Sequence, residues 1–249
     1  MLPRKTTRNP AVLSYYTMRR AVGLIALTLP LALATGVILS SLLGSAHRLP
    51  HPLLERSISD YYYTPMRDYL VGSLCAIAAF LACSRGYDRQ DEIIGYMAGA
   101  FTFGVAFFPS FDPRSARYTH IDVEFGYIHT AFAALMFLAL AYFCIFLFRR
   151  SSPEKPFTRR KLHRNRVYGV CGLIMMICIV LLVSITLNAI AERRRPSPLI
   201  FWCEAVALAA FGVAWLTKGE GILRDKPHNH SHVHSQIQAG AETPPIPAP

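Results

Sequence analysis

The sequence predicts an all-α fold: a polytopic membrane protein of six transmembrane helices in an up-and-down bundle. Three observations predict it. Of the 249 residues, 53% are hydrophobic and only 16% charged, too apolar a balance for an ordinary soluble domain. Six stretches carry almost no charge, at residues 21–43, 69–83, 93–108, 127–148, 167–191 and 198–217. The Lys and Arg residues between them fall unevenly, 18 on one set of segments against 8 on the other. The positive-inside rule turns that asymmetry into an orientation with both termini cytoplasmic.

The first stretch runs 23 residues. It exceeds both the roughly 20 residues a bilayer core needs and the usual signal-peptide core. Arg19 and Arg20 lack the surroundings of a twin-arginine signal. The expectation is an uncleaved anchor, kinked at Pro30. Stretches two and three are short by the same measure. They reach spanning length if Thr64 caps the second helix, Pro65 opens it and Arg67 snorkels toward the headgroups. In the third, Gly95-x-x-x-Gly99 continued by Thr102 and Ala106 forms a small-residue face for a close neighbour. The last three stretches are long enough without help. Trp202 and Trp215, near opposite ends of the sixth, read as interfacial anchors, and short links favour antiparallel neighbours.

This organisation divides the chain into a basic segment 1–18, a transmembrane domain 19–218 and a tail 219–249. The tail, with "HNHSHVHSQ" and "TPPIPAP", has no apolar periodicity and is expected to be disordered. Its alternating His228, His230, His232 and His234 lack the turn or helix spacing of a structural metal site. Cys75, Cys83, Cys144, Cys171, Cys178 and Cys203 all fall within the expected helices and read as packing residues, not disulfides. The net charge of +11 is absorbed by topology, so membrane lipids are the expected partners and nucleic acid is not. The expected location is a bacterial inner membrane. The densest basic segment, "RRSSPEKPFTRRKLHRNR" at 149–166, suits anionic headgroups, each residue near the surface contributing about 1 kcal/mol.

The polar residues near the membrane gather on the outer side of this topology. Asp60 and Arg67 in "SISDYYYTPMRDYL", Asp112 in "FFPSFDP", His120 and Asp122 in "THIDVEF", and His129 at the start of the fourth stretch all fall there. Glu204 lies six residues into the sixth stretch, about 9 Å deep. An acid at that depth costs a few kcal/mol unless protonated, paired or facing water. Its expected partners are Asn188, Ser184 or an arginine of "ERRRPS". Tyr61, Tyr62, Tyr63 and Tyr69 form an aromatic belt. The candidate outer-face site is therefore Ser59, Asp60, Arg67, Asp112, His129 and Glu204. Asp60, Asp112 and His129 are able to ligate zinc, but there is no HExxH, no paired His on a helix and no paired Cys ligands. No metal, cofactor or catalytic residue is assigned. A nucleophilic Ser57 or Ser59 needs a base within hydrogen-bond reach.

The segments "SISDYYYTPMRDYLVG", "SRGYDRQDE", "AFFPSFDP", "IHTAFA" and "FWCEAVALAAFGVAWLTKG", in that order over 57–219, resemble a family of uncharacterised bacterial six-helix membrane proteins. That family is distantly similar to the DRAM-like membrane proteins. The resemblance implies the topology and an outer-face polar cluster, and no activity. The transmembrane hydrolases that include alkaline ceramidases are similar in gathering Ser, Asp and His at one membrane face, but their histidine pair in the last helix is missing here. Three classes follow. The expected one is a non-enzymatic protein binding lipid or a partner at its outer face. The alternatives are a small transporter using Glu204, for which "FGVAFF" at 103–108 and "FGVAWL" at 211–216 echo inverted halves, and a lipid-directed metal-dependent hydrolase.

Overall fold

The computed structural model describes residues 10–44, 54–84, 88–112, 114–115, 117–150, 159–192 and 197–219. The N-terminal residues 1–9, the middle of the basic segment, Arg193 to Arg195 and the His/Pro-rich tail beyond Gly219 lie outside the described residues. The described residues form six α-helices: α1 (Pro10–Leu43), α2 (Arg67–Ala82), α3 (Arg89–Phe107), α4 (His120–Tyr142), α5 (Arg159–Ala191) and α6 (Leu199–Lys218). A 3-10 turn, Ser59–Tyr63, precedes α2, and a π-helical turn, Phe143–Leu147, extends α4. No strand occurs among the described residues.

Among the described residues, four helices are long and apolar enough to cross a membrane, over Tyr16–Leu43, His120–Leu147, Arg159–Ala189 and Leu199–Lys218. The other two fall short for different reasons. At 16 residues α2 measures only about 24 Å against a hydrocarbon core of about 30 Å. The 19 residues of α3 nearly suffice, but its first turn is Arg89-Gln90-Asp91-Glu92. Along α5, Leu173, Val180 and Leu187 recur every seven residues and are 59–61% exposed, a stripe of outward apolar surface that water penalises and lipid does not.

The helices form a ring. Each packs on the next, and α6 closes onto α1. The end of α6 meets α1 ten residues into that helix, where the Arg20 Nε donates to the Gly219 carbonyl at 2.9 Å. Within two turns of that bond, Gly23 and Gly212 bring the backbones together; a Cβ on Gly212 would stand 2.7 Å from the Gly23 oxygen. The expected small-residue face of α3 packs on α2, with a Cβ on Gly99 only 2.8 Å from the Ala78 oxygen. One end of the ring carries the 3-10 turn and is called the cap face. The other is the basic face.

Several sequence expectations need correcting. Regular α2 begins at Arg67, not Pro65; Thr64 accepts the Met66 N–H at 3.2 Å and donates to the Tyr61 carbonyl, so it caps a turn ahead of the helix. α4 begins at His120, because Thr119 and Asp122 form a capping box well before the apolar run. His129 is thus nine residues inside the helix, about 14 Å from its start, and not at its start. Trp202 is exposed, but Trp215 is 1% exposed and packs against Phe143, Phe148 and Phe211 as a core residue. All six cysteines are free, and Cys83 is the exposed C-cap of α2.

Candidate functional site

Residues 54–66 cross the ends of four helices and are pinned at several points. The Phe201 N–H, an orphan donor in the first turn of α6, reaches the Arg56 carbonyl at 2.7 Å. The Ile58 N–H donates to the Glu204 carboxylate at 2.6 Å. That bond answers the question Glu204 poses: its partner is cap backbone. Neither Ser184, which back-bonds to the Val180 carbonyl, nor the exposed Asn188 supplies it. The Tyr63 hydroxyl donates to the Ser110 carbonyl at 2.5 Å, and burial, then Asp112, push that hydroxyl up to about 12, so it keeps its proton. Glu55, 8% exposed, pairs with Arg114.

At the centre stands His129, 7% exposed. Its Nδ1 lies 2.7 Å from the Phe108 carbonyl and its Nε2 lies 2.9 Å from the Ser59 Oγ. A carbonyl only accepts, so Nδ1 carries the proton; Nε2 is then the acceptor and the Ser59 hydroxyl donates to it. The chain presents that carbonyl for a local reason. Phe108 precedes Pro109 and is extended, with ψ of 119°, which turns its C=O out of the α3 ladder. Comparison with protein-family models, with curated proteins and with solved structures found no match.

Ser59 and His129 share a narrow cavity with Ser110. Leu70, Leu74 and Val105 form its apolar wall, and it has room for about one water. Arg67 is exposed at the rim, its guanidinium 4.3 Å over the Tyr62 ring and donating to the Tyr62 hydroxyl at 2.6 Å. Tyr62 itself lines the cavity. Asp60, although next to Ser59, turns away: its N–H and its carboxyl both engage Ser57. Burial pushes that carboxyl up to about 6; the Ser57 bonds and Arg56 oppose the rise and Glu55 adds to it.

The six expected site residues therefore separate. Ser59 and His129 are in direct contact, Glu204 holds the same turn one residue away, Asp60 supports it from within and Arg67 stands at the rim. Asp112 does not join them; its carboxylate takes the Arg114 N–H at 2.9 Å within its own loop. The Asp60, Asp112 and His129 grouping considered for zinc does not form, and no cluster of three or more His, Cys, Asp or Glu suits a metal among the described residues. His120 and Asp122 are spent on an exposed pair with Glu124 and on the α4 cap. Sequence reasoning missed Ser110, the Phe108 carbonyl and the Glu55–Arg114 pair. Only the second had a local signal, the Phe108–Pro109 step.

Proposed function

We propose that the protein crosses a bacterial inner membrane six times with both termini cytoplasmic, and that its cap face binds the headgroup of an amphiphile on the outer side. The cavity carries this reading. Its polar side, Ser59, Ser110 and His129, sits against an apolar side, Leu70, Leu74 and Val105, which is the order of groups from headgroup to acyl chain. Space for one oxygen-sized group suits a headgroup hydroxyl or carbonyl, hydrogen-bonded between Ser110 and the Ser59–His129 pair. The chain of the amphiphile then follows α2, where Tyr69 and Gly72 are exposed. Native mass spectra of protein extracted with its lipid, wild type beside Ser59→Ala and His129→Ala, test this. The wild type is expected to retain one lipid more than either variant; equal retention in all three defeats it. Orientation is tested separately with a membrane-impermeant maleimide. Exposed Cys83, at the basic face, should react only after the cells are opened.

A second reading rests on the hydrogen-bonded Ser59 and His129 alone. In it, Ser59 Oγ attacks an ester carbonyl, Nε2 takes the hydroxyl proton and passes it to the departing alcohol, and water releases the acyl group. A fluorophosphonate probe should then label Ser59 in the wild type and fail with His129→Ala. An unlabelled wild type removes this reading and leaves the binding site.

A further inference from the structure

The rim of the cap cavity carries a cation. Arg67 opens α2 and is exposed, its guanidinium 4.3 Å over the Tyr62 ring and donating to the Tyr62 hydroxyl at 2.6 Å. A ring face and a hydroxyl hold a guanidinium in place without cancelling its charge. Among the described residues no carboxylate pairs with it. The nearby acids of the cap face are engaged elsewhere: Glu55 with the Arg114 side chain, Asp112 with the Arg114 N–H and Asp122 with Thr119. Asp68 follows Arg67 in the chain, but stands about 100° round the helix from it.

The Tyr62 hydroxyl accepts the Arg67 bond and keeps its own proton to donate, and the guanidinium fork has further N–H groups to offer. A planar fork beside a hydroxyl is a donor set that phosphate oxygens match closely. Tyr62 also lines the cavity, so an anion seated on Arg67 adjoins the space bordered by Ser59, Ser110 and His129. That space limits what the phosphate carries. With room for about one water it is too small for a trimethylammonium group. No acid is among its lining residues to balance an ammonium. A hydroxyl meets both limits, because serine hydroxyls donate and accept.

We infer that the amphiphile of the cap face is an anionic phospholipid with an uncharged polyol headgroup, its phosphate on Arg67 and Tyr62 and a headgroup hydroxyl in the cavity. The inference rests on the amphiphile reading given above and adds to it the charge and class of the headgroup.

The test uses the full chain in nanodiscs of equal parts phosphatidylglycerol, phosphatidylethanolamine and phosphatidylcholine, with the retained lipid identified by native mass spectrometry on gentle release. The wild type should prefer phosphatidylglycerol over either zwitterionic lipid by roughly tenfold, as one charge-assisted bond gives. Arg67→Gln, confirmed folded by an unchanged melting curve, should still retain a lipid but without that preference. Arg117→Gln removes the same charge from the exposed link between α3 and α4 and should keep it. A wild type without preference overturns the inference, as does a folded Arg67→Gln that keeps the preference or an Arg117→Gln that loses it equally. The amphiphile reading survives each of these results so long as Ser59→Ala retains less lipid than the wild type, and fails separately if the two retain the same. Glycerol 3-phosphate supplies the second arm. If it displaces the retained lipid at millimolar concentration, the site serves a soluble polyol phosphate and the lipid assignment fails; no displacement supports the lipid.

Discussion

Replacing His129 with leucine tests whether the cap is held as the geometry implies. Leucine keeps nearly the bulk of the imidazole, so the 7%-exposed position loses little packing. It loses both hydrogen bonds, to the Phe108 carbonyl and to Ser59. The carbonyl lies beneath the cap, and an unmet buried acceptor costs about 1–3 kcal/mol. Ser59 is half-buried and borders a cavity that admits about one water, so its loss costs the lower end of that range. Together the change costs roughly 2–3 kcal/mol, or about 5–10 °C in melting temperature at ~2–4 °C per kcal/mol. The protein carries its own reporters. Buried Cys144, Cys171 and Cys178 react with a fluorogenic maleimide only on unfolding, once exposed Cys83 and half-buried Cys75 and Cys203 have been replaced by alanine. A Ser59→Ala/His129→Leu double variant completes the cycle and should fall short of additivity by about 1 kcal/mol, since each single change removes the same bond. A His129→Leu protein melting within ~1 °C of the parent, or strictly additive single changes, refutes the reasoning.

Asp60 makes stability depend on pH. Its carboxyl titrates at about 6 in the fold against about 3.9 unfolded, so between those values the folded state holds a proton that the unfolded chain releases. Stability is therefore full below pH ~4 and falls as pH rises to ~6, by at most ~3 kcal/mol, and Asp60→Asn should flatten the melting temperature across that window. Glu204→Gln keeps an acceptor for the Ile58 N–H and should cost under ~1 kcal/mol, whereas Glu204→Leu strands that donor and should cost ~1–3 kcal/mol in the same thermal assay. Gly212→Val sets side-chain carbon against the Gly23 oxygen at 2.7 Å and should cost ~3 kcal/mol or more, visible as loss of the folded peak in size exclusion. Gly72→Ala, with nothing within 4 Å of the added carbon, should leave that peak unchanged.

What the sequence made legible was set by range. The all-α class and the four long apolar helices follow from local composition, because a spanning helix needs only its own ~20 residues. That the polar residues share one end follows from counting helix reversals. Which of them touch does not. Glu204 and Ile58 are 146 residues apart and His129 and Ser59 are 70 apart, and no periodicity encodes such pairings. Asp112 looked equivalent to Asp60 on depth alone, yet a local turn with Arg114 consumes it. The early start of α4 was within reach, since Thr119 followed three residues later by Asp122 is a capping signal. An apolar-run reading passes over it because Ile121 to Glu124 is mixed. Trp215 misled for the opposite reason: an indole near a helix end looks the same whether it faces headgroups or neighbouring rings.

The echo between 103–108 and 211–216 gains a physical meaning from the ring. Its glycines, Gly104 in α3 and Gly212 in α6, both sit where their helix meets the next one around, α4 for the first and α1 for the second. A carbon on Gly104 would collide with the Phe132 ring, as one on Gly212 would with the Gly23 backbone. Both glycines thus mark a close approach between neighbouring helices, one to a side-chain ring and the other to backbone. The connections break the likeness. Between α1 and α2 the chain builds the cap with its Ser59, Asp60 and Tyr63; between α4 and α5 it passes through a π-helical turn into the basic segment. Packing alone accounts for the repeated glycines, so the echo is no argument for transport. The cap cavity instead follows the asymmetry, built on a connection that the other half lacks.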